Sequence, residues 1–235
     1  MSATEDHGRH EVTAPVLQAR GVHRFYRRGG RLDNEVIALR DVDLIVEPGE
    51  LVAVVGPSGS GKSTLLGLLA GVDDPSGGSI WVVGQRLSHR PPAEQARLRG
   101  QHIGVLTQSS GLLDHLDVLG NVVLAGSFRR PSPDSGQAAE LLDRLGLRDR
   151  LHAQPSTLSG GETARANLAA ALIGDPLVLL ADEPTAEVSR AEEAAVLRLL
   201  TQHRPPGSGT VVVTHSVAVA RAASRVVTLS AGRAA

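Results

Sequence analysis

The chain has 235 residues, 41% of them apolar and only 2% aromatic, so one sizeable core resting on Leu, Val and Ala is expected. It has no cysteine, which excludes disulfide and thiolate chemistry, and its net charge of −1 speaks against a nucleic-acid binder held by charge. No apolar run approaches the roughly 18 residues that span a bilayer.

Residues 1–14 are polar, carry His7 and His10, and lack the apolar stretch of a secretory signal. A disordered tail is expected there, on a cytoplasmic protein that reaches a membrane only through a partner. Val16 to Tyr26 is predicted as a strand, Arg27 to Asn34 as a charged loop, and Val36 to Val46 as a second strand before the Pro48-Gly49 turn. Leu51–Val55 is continuously apolar, as expected of a parallel strand buried on both faces. It enters Gly56-Pro57-Ser58-Gly59-Ser60-Gly61-Lys62-Ser63-Thr64, a complete G-x-x-x-x-G-K-[S/T] run. A helix from Ser63 to Ala70 follows, with Leu65, Leu66, Leu68 and Leu69 inward.

Further on, Ile80–Val83 and Ile103–Leu106 are expected strands, with a helix over 91–100 between them. From Leu116 to Leu151 the pattern turns helical. Ala138, Leu141, Leu142 and Leu145 form one apolar face, and Arg129 to Gly136 interrupts the helices. A helical subdomain inserted into an α/β core is the natural reading. The core resumes at Leu177–Ala181, Val211–Thr214 and Val226–Leu229, with a helix around Arg190–Leu200.

Strand, glycine-rich turn and helix are the context in which backbone amides cradle phosphates. Gly56, Gly59 and Gly61 let the backbone approach the anion, Lys62 carries charge to the β and γ phosphates, and Ser63 offers a hydroxyl to Mg²⁺. Leu177–Ala181 runs straight into Asp182-Glu183. At the carboxyl end of a buried strand, Asp182 is expected to hold Mg²⁺, through water, and Glu183 to polarise the attacking water. The alternative is an acidic helix cap.

Ser159-Gly160-Gly161 precedes a run suited to a helix and offers a second set of amides. One chain does not easily bring this run and residues 56–64 onto the same γ-phosphate, whereas two facing chains do. Gln108, at the end of its strand, reaches Mg²⁺ or water, or is an ordinary surface residue. His215 either meets a phosphate oxygen or bonds backbone. Tyr26 and Phe25 either stack on a base or pack.

Taken together, these runs resemble the ATP-binding subunits of ABC transporters, over about Val16 to Arg233. The family's phosphate loop matches Gly56–Thr64 and its LSGG motif Leu158–Gly161. Its acidic strand matches Leu177–Glu183, its loop glutamine Gln108, its switch histidine His215, and its adenine-stacking aromatic Tyr26. The resemblance implies a P-loop NTPase α/β core with an antiparallel β subdomain and an inserted helical subdomain. The ATP-binding domain would cover 15–235 after the 1–14 tail, with the helical part at about 109–165. It further implies ATP and Mg²⁺ as ligands, with Ser63, Gln108 and Asp182 on the metal. Glu183, His215 and Gln108 would serve catalysis.

Ala38-Leu39-Arg40-Asp41-Val42, Ile103 to Ser109, and Glu162 after the second glycine are similar to the lipoprotein-release and macrolide-export branch. That branch implies a homodimer on a separate FtsX-like permease, at the cytoplasmic face of the membrane, with no nucleic-acid partner. Several positions depart from the pattern. Ala186-Glu187-Val188-Ser189 stands where Gly-Asn-Leu-Asp is usual, Thr163-Ala164 stands for Gln-Gln, and Ala170 for an arginine. Ser216 stands for an aspartate, and Thr107 for an aromatic. Ser189 in the dimer-facing loop and Ala170 motivate a second reading: a weakly hydrolysing, ATP-gated regulatory or scaffolding subunit.

Overall fold

A computed structural model describes residues 14–27, 35–107, 111–186 and 188–234. The expected tail, except Ala14, and Gln108 lie outside the described residues.

Two sheets carry the fold. The first is antiparallel, in the order β2 (Glu35–Val46), β1 (Leu17–Arg27), β4 (Gly77–Val82), β5 (Gln85–Arg86). In β2, Val42, Leu44 and Val46 are buried while Asp43 and Ile45 face out, the alternation of a half-buried strand. The second sheet runs β10 (Arg233–Ala234), β9 (Arg225–Ser230), β3 (Leu51–Val55), β8 (Gly209–Val213), β7 (Val178–Asp182), β6 (Ile103–Leu106). All its pairs are parallel except β10 with β9.

The inner parallel strands β3, β7 and β8 are buried on both faces, which explains their unbroken apolar runs. Their side chains alternate between two cores. Val52, Val54, Val178, Leu180, Val211 and Val213 join one that includes α1 (Lys62–Leu69) and the antiparallel sheet. Leu179, Ala181 and Val212 join the other, under the helices α3 (Val118–Gly126), α4 (Ser135–Arg144) and α5 (Gly160–Leu172). The expected apolar face of α4 is buried at Ala138, Leu141, Leu142 and Leu145. The registers Val54↔Val213 and Asp182↔Val213 put the carboxyl ends of β3, β8 and β7 side by side. In an open α/β sheet this edge is where ligands are held.

Between β4 and β6 lies α2 (Pro92–His102), and after β7 and β8 come α6 (Arg190–Gln202) and α7 (Val217–Ala222). β5, β10 and α7 were not expected from sequence, being two to six residues long. Helix α5 runs unbroken through residue 165, the expected edge of the helical subdomain. It lies hard against β6: a Cβ on Gly104 would sit 2.1 Å from the Ala171 carbonyl oxygen. Arg129, buried, ties the helical insertion to the core. It donates to the carbonyls of Gly100 (2.9 Å), Ile103 (3.1 Å) and Ile173 (3.2 Å).

Candidate active site

The turn from β3 into α1 is built by glycine. Gly61 caps α1 at φ 104° with no side-chain acceptor for the first helical amides, which leaves them free for an anion. A Cβ at Gly61 would lie 2.4 Å from the Ala38 carbonyl oxygen. Substituting Gly61→Ala is therefore expected to destabilise the chain by more than about 2 kcal/mol, measured by chemical denaturation, because both the left-handed backbone and the contact resist it.

Lys62 is buried, and its Nζ donates to the carbonyls of Gly56 (2.9 Å) and Pro57 (3.1 Å). The loop thereby holds its own ammonium group at the mouth of α1. Ser60 plays a different part from Ser58 and Ser63. It is buried and its amide donates to Pro57 O, while its carbonyl accepts from Gly232 N. Its hydroxyl has no partner among the described residues.

A cavity of about 650 Å³ opens over this loop. Ser58, Gly59, Gly61, Lys62, Ser63 and Thr64 line one side, and Asp182, Glu183 and His215 the other. The acids are not a helix cap, since α6 starts only at Arg190. Asp182 accepts a hydrogen bond from the Ser63 side chain. Burial pushes its carboxyl above the ordinary carboxylate range, and the Glu183 charge adds to this. The Ser63 hydrogen bond and the Lys62 charge oppose it. A hydroxyl and a carboxylate side by side, next to a lysine and free amides, are a hard-oxygen donor set that fits Mg²⁺ on a polyphosphate.

Glu183 sits at φ 47°, a left-handed conformation that favours glycine, and its amide donates to Val213 O at 2.9 Å. Its Oε2 accepts from the Thr214 hydroxyl (3.3 Å) and the His215 amide (3.1 Å), and Oε1 lies 3.7 Å from His215 Nε2. The strained turn at the end of β7 thus aims a carboxylate across the cavity and ties it to the loop after β8. His215 faces Glu183 with its ring largely exposed.

Ser159 and Gly160 are not among the residues lining this cavity, and neither is Gly161. Ser159 caps α5: its hydroxyl accepts from Glu162 N (3.3 Å), and its amide donates to Glu162 Oε2 (2.8 Å). Arg150 bonds the same carboxylate at 2.8 Å. These contacts, Arg150 foremost, hold the Glu162 carboxyl at about 2 against an ordinary 4.5. A depressed folded value stabilises above the unfolded value and is lost as pH falls toward the folded one. The stability difference between the parent and Glu162→Gln should stay constant above about pH 5 and shrink between about 4.5 and 2. Acid titration followed by circular dichroism checks this; solvent screening keeps the effect small.

Tyr26 also lies outside the cavity lining. Its hydroxyl donates to Asp73 Oδ2 at 3.1 Å, and the Arg24 guanidinium carbon stands 4.5 Å from its ring centroid, occupying one face. Phe25 pairs instead with His23, ring centroids 6.0 Å apart.

Sequence reasoning missed Thr185, Glu193 and Ser216 in the cavity wall. Only Ser216 carried a signal, as a departure from a usual aspartate. Ser216 caps α7, its hydroxyl accepting from the amides of Ala218 and Val219.

The family model described as "ABC transporter" matches residues 39–186. The macrolide export ATP-binding/permease protein MacB of Sodalis glossinidius is 40% identical over 224 residues, covering 94% of this chain and 34% of its own length. The protein of that name from Rhodopseudomonas palustris is 42% identical over 219 residues, covering 92% and 33%. The chain thus spans about a third of these relatives. A solved dimeric structure of MJ0796, described as a bacterial ABC transporter cassette, superposes with TM-score 0.83 at 30% identity, covering 93% of this chain and 96% of that one. A second dimeric structure of the same cassette, bound to ADP and Pi, gives 0.84.

Proposed function

We propose, since this chain belongs to the ABC transporter family and is an ATPase of that family's fold, that it drives a separate FtsX-like membrane subunit by ATP-dependent closure of a homodimer. One observation carries this reading. Lys62, Ser63, Asp182 and Glu183 meet in one cavity, while the second amide-bearing run, Ser159–Gly161, is absent from its lining. A nucleotide on the first set would need a second copy to offer the other.

The ATP-binding domain would cover 15–235, with a helical part at about 109–165. In it Lys62 and the amides of residues 56–64 would grip the polyphosphate of ATP. Ser63 and Asp182, with Gln108, would hold Mg²⁺, which when bound neutralises phosphate charge. Glu183 would hold the attacking water, and His215, close to its carboxylate, would meet the γ-phosphate. Tyr26 would stack on adenine once Arg24 moves off its ring.

Closure and reopening transmit work because the two dimer states differ in contacts, not because ATP contains force. None of the described helices is long and apolar enough to cross a membrane. Attachment at the cytoplasmic face would run through the permease, near the segment from Gln108 to Leu116. The relatives' name joins an ATP-binding part to a permease part for macrolide export. Export or extraction is accordingly the direction we assign, with selectivity in the membrane subunit.

ATP turnover of the chain alone and with its co-purified permease tests the reading. Mg²⁺-dependent hydrolysis that rises in the complex is expected. Turnover at background in the complex would leave the ATP-gated scaffolding role motivated by Ser189.

A further inference from the structure

We propose that Glu193 is a positioning residue that latches the His215 loop to the loop carrying Glu183. Its Oε1 accepts two hydrogen bonds, from the Ser216 hydroxyl at 2.6 Å and from the Thr185 hydroxyl at 3.2 Å. Thr185 follows Glu183 by two residues and Ser216 follows His215 by one. A single carboxylate oxygen on the first turn of α6 therefore joins both sides of the catalytic cavity, in whose wall Glu193 itself stands.

The joint is directional. Ser216 Oγ spends its acceptor capacity on the Ala218 and Val219 amides, which cap α7, and its one proton goes to Glu193. The Ser216 amide in turn donates to Thr214 Oγ1 at 2.9 Å, and Thr214 donates to Glu183. These hydrogen bonds link Glu183, Thr214, Ser216, Glu193 and Thr185 in turn, and the backbone through Pro184 closes the ring from Thr185 to Glu183. Hydrogen bonds to an ionised acceptor are the strong kind, so this ring fixes where His215 stands relative to Glu183. The neighbouring Glu192 is committed elsewhere, to the Ser189 hydroxyl at 2.8 Å, and so does not substitute for Glu193.

This proposal rests on the ATPase reading only for its effect on turnover; the latch itself is testable without nucleotide. Ser216→Asp keeps a helix cap but sets a carboxylate against Glu193. Glu193→Ser removes the acceptor. The double variant Glu193→Ser/Ser216→Asp restores one donor and one acceptor with their places exchanged. Amide hydrogen exchange over 214–220 in the nucleotide-free chain should rise about tenfold or more in each single variant and return to within about threefold of the parent in the double. In steady-state kinetics kcat should fall about ten- to a hundredfold in the singles with little change in KM, and recover in the double.

If exchange and kcat in the double variant equal the product of the single effects, the latch is refuted. If exchange is coupled while the parent and every variant hydrolyse nothing, the latch stands and the ATPase reading falls.

Discussion

Glu183→Gln is expected to lower ATP turnover by at least about a hundredfold while ATP remains bound, the loss typical of removing a positioned base. Glutamine has the same shape, and its side-chain carbonyl can keep the bonds from the His215 amide (3.1 Å) and the Thr214 hydroxyl (3.3 Å) that hold the carboxylate in place. The backbone at φ 47° is no worse for glutamine than for glutamate. What disappears is the negative charge facing the cavity, and with it the means to polarise water. Phosphate release measured beside calorimetric titration with Mg-ATP separates the two properties. Unchanged turnover in this variant would remove Glu183 from the chemistry.

Lys62→Ala acts on the other half of the problem. The buried ammonium is held by two carbonyls of its own loop, 2.9 and 3.1 Å away, so it is already in place before ATP arrives. Charge-assisted bonds to phosphate are each worth about 1.5–3 kcal/mol, so losing two of them would weaken Mg-ATP binding by a hundredfold or more. The variant also strands the Gly56 and Pro57 carbonyls, which should lower the melting temperature by a few degrees. Calorimetry and a thermal melt on the same preparation read both effects. A dissociation constant within threefold of the parent would contradict the assignment of Lys62.

Much of this site is written plainly in the sequence. Leu51–Val55 and Leu177–Ala181 are apolar without a break because both faces of the sheet are covered, and each ends in residues whose chemistry has few alternatives. The four-residue face on α4 is legible because its 3.6-residue period survives burial. Short elements escaped. β5 and β10 are two residues each, and α7 is six, too brief for any period to register. The Arg129 clamp escaped as well, since three carbonyl partners from separate elements leave no pattern in the chain. Glu193 reads as one more acid on an exposed helix. Only the fold brings it to Ser216, 23 residues away. Tyr26 was legible as an exposed aromatic, but its contact with Arg24 was not.

The claim that one copy completes the other's site has a direct test, helped by a chain that has no cysteine of its own. Ser58 lines the cavity and Ser159 caps α5, and both are exposed. Ser58→Cys and Ser159→Cys, combined with Glu183→Gln, leave these as the sole thiols. With a short bifunctional thiol reagent, Mg-ATP is expected to convert the chain to covalent dimers, and adding Lys62→Ala should abolish them. Monomers with and without Mg-ATP, in a protein shown by calorimetry to bind it, would contradict a nucleotide shared between two copies.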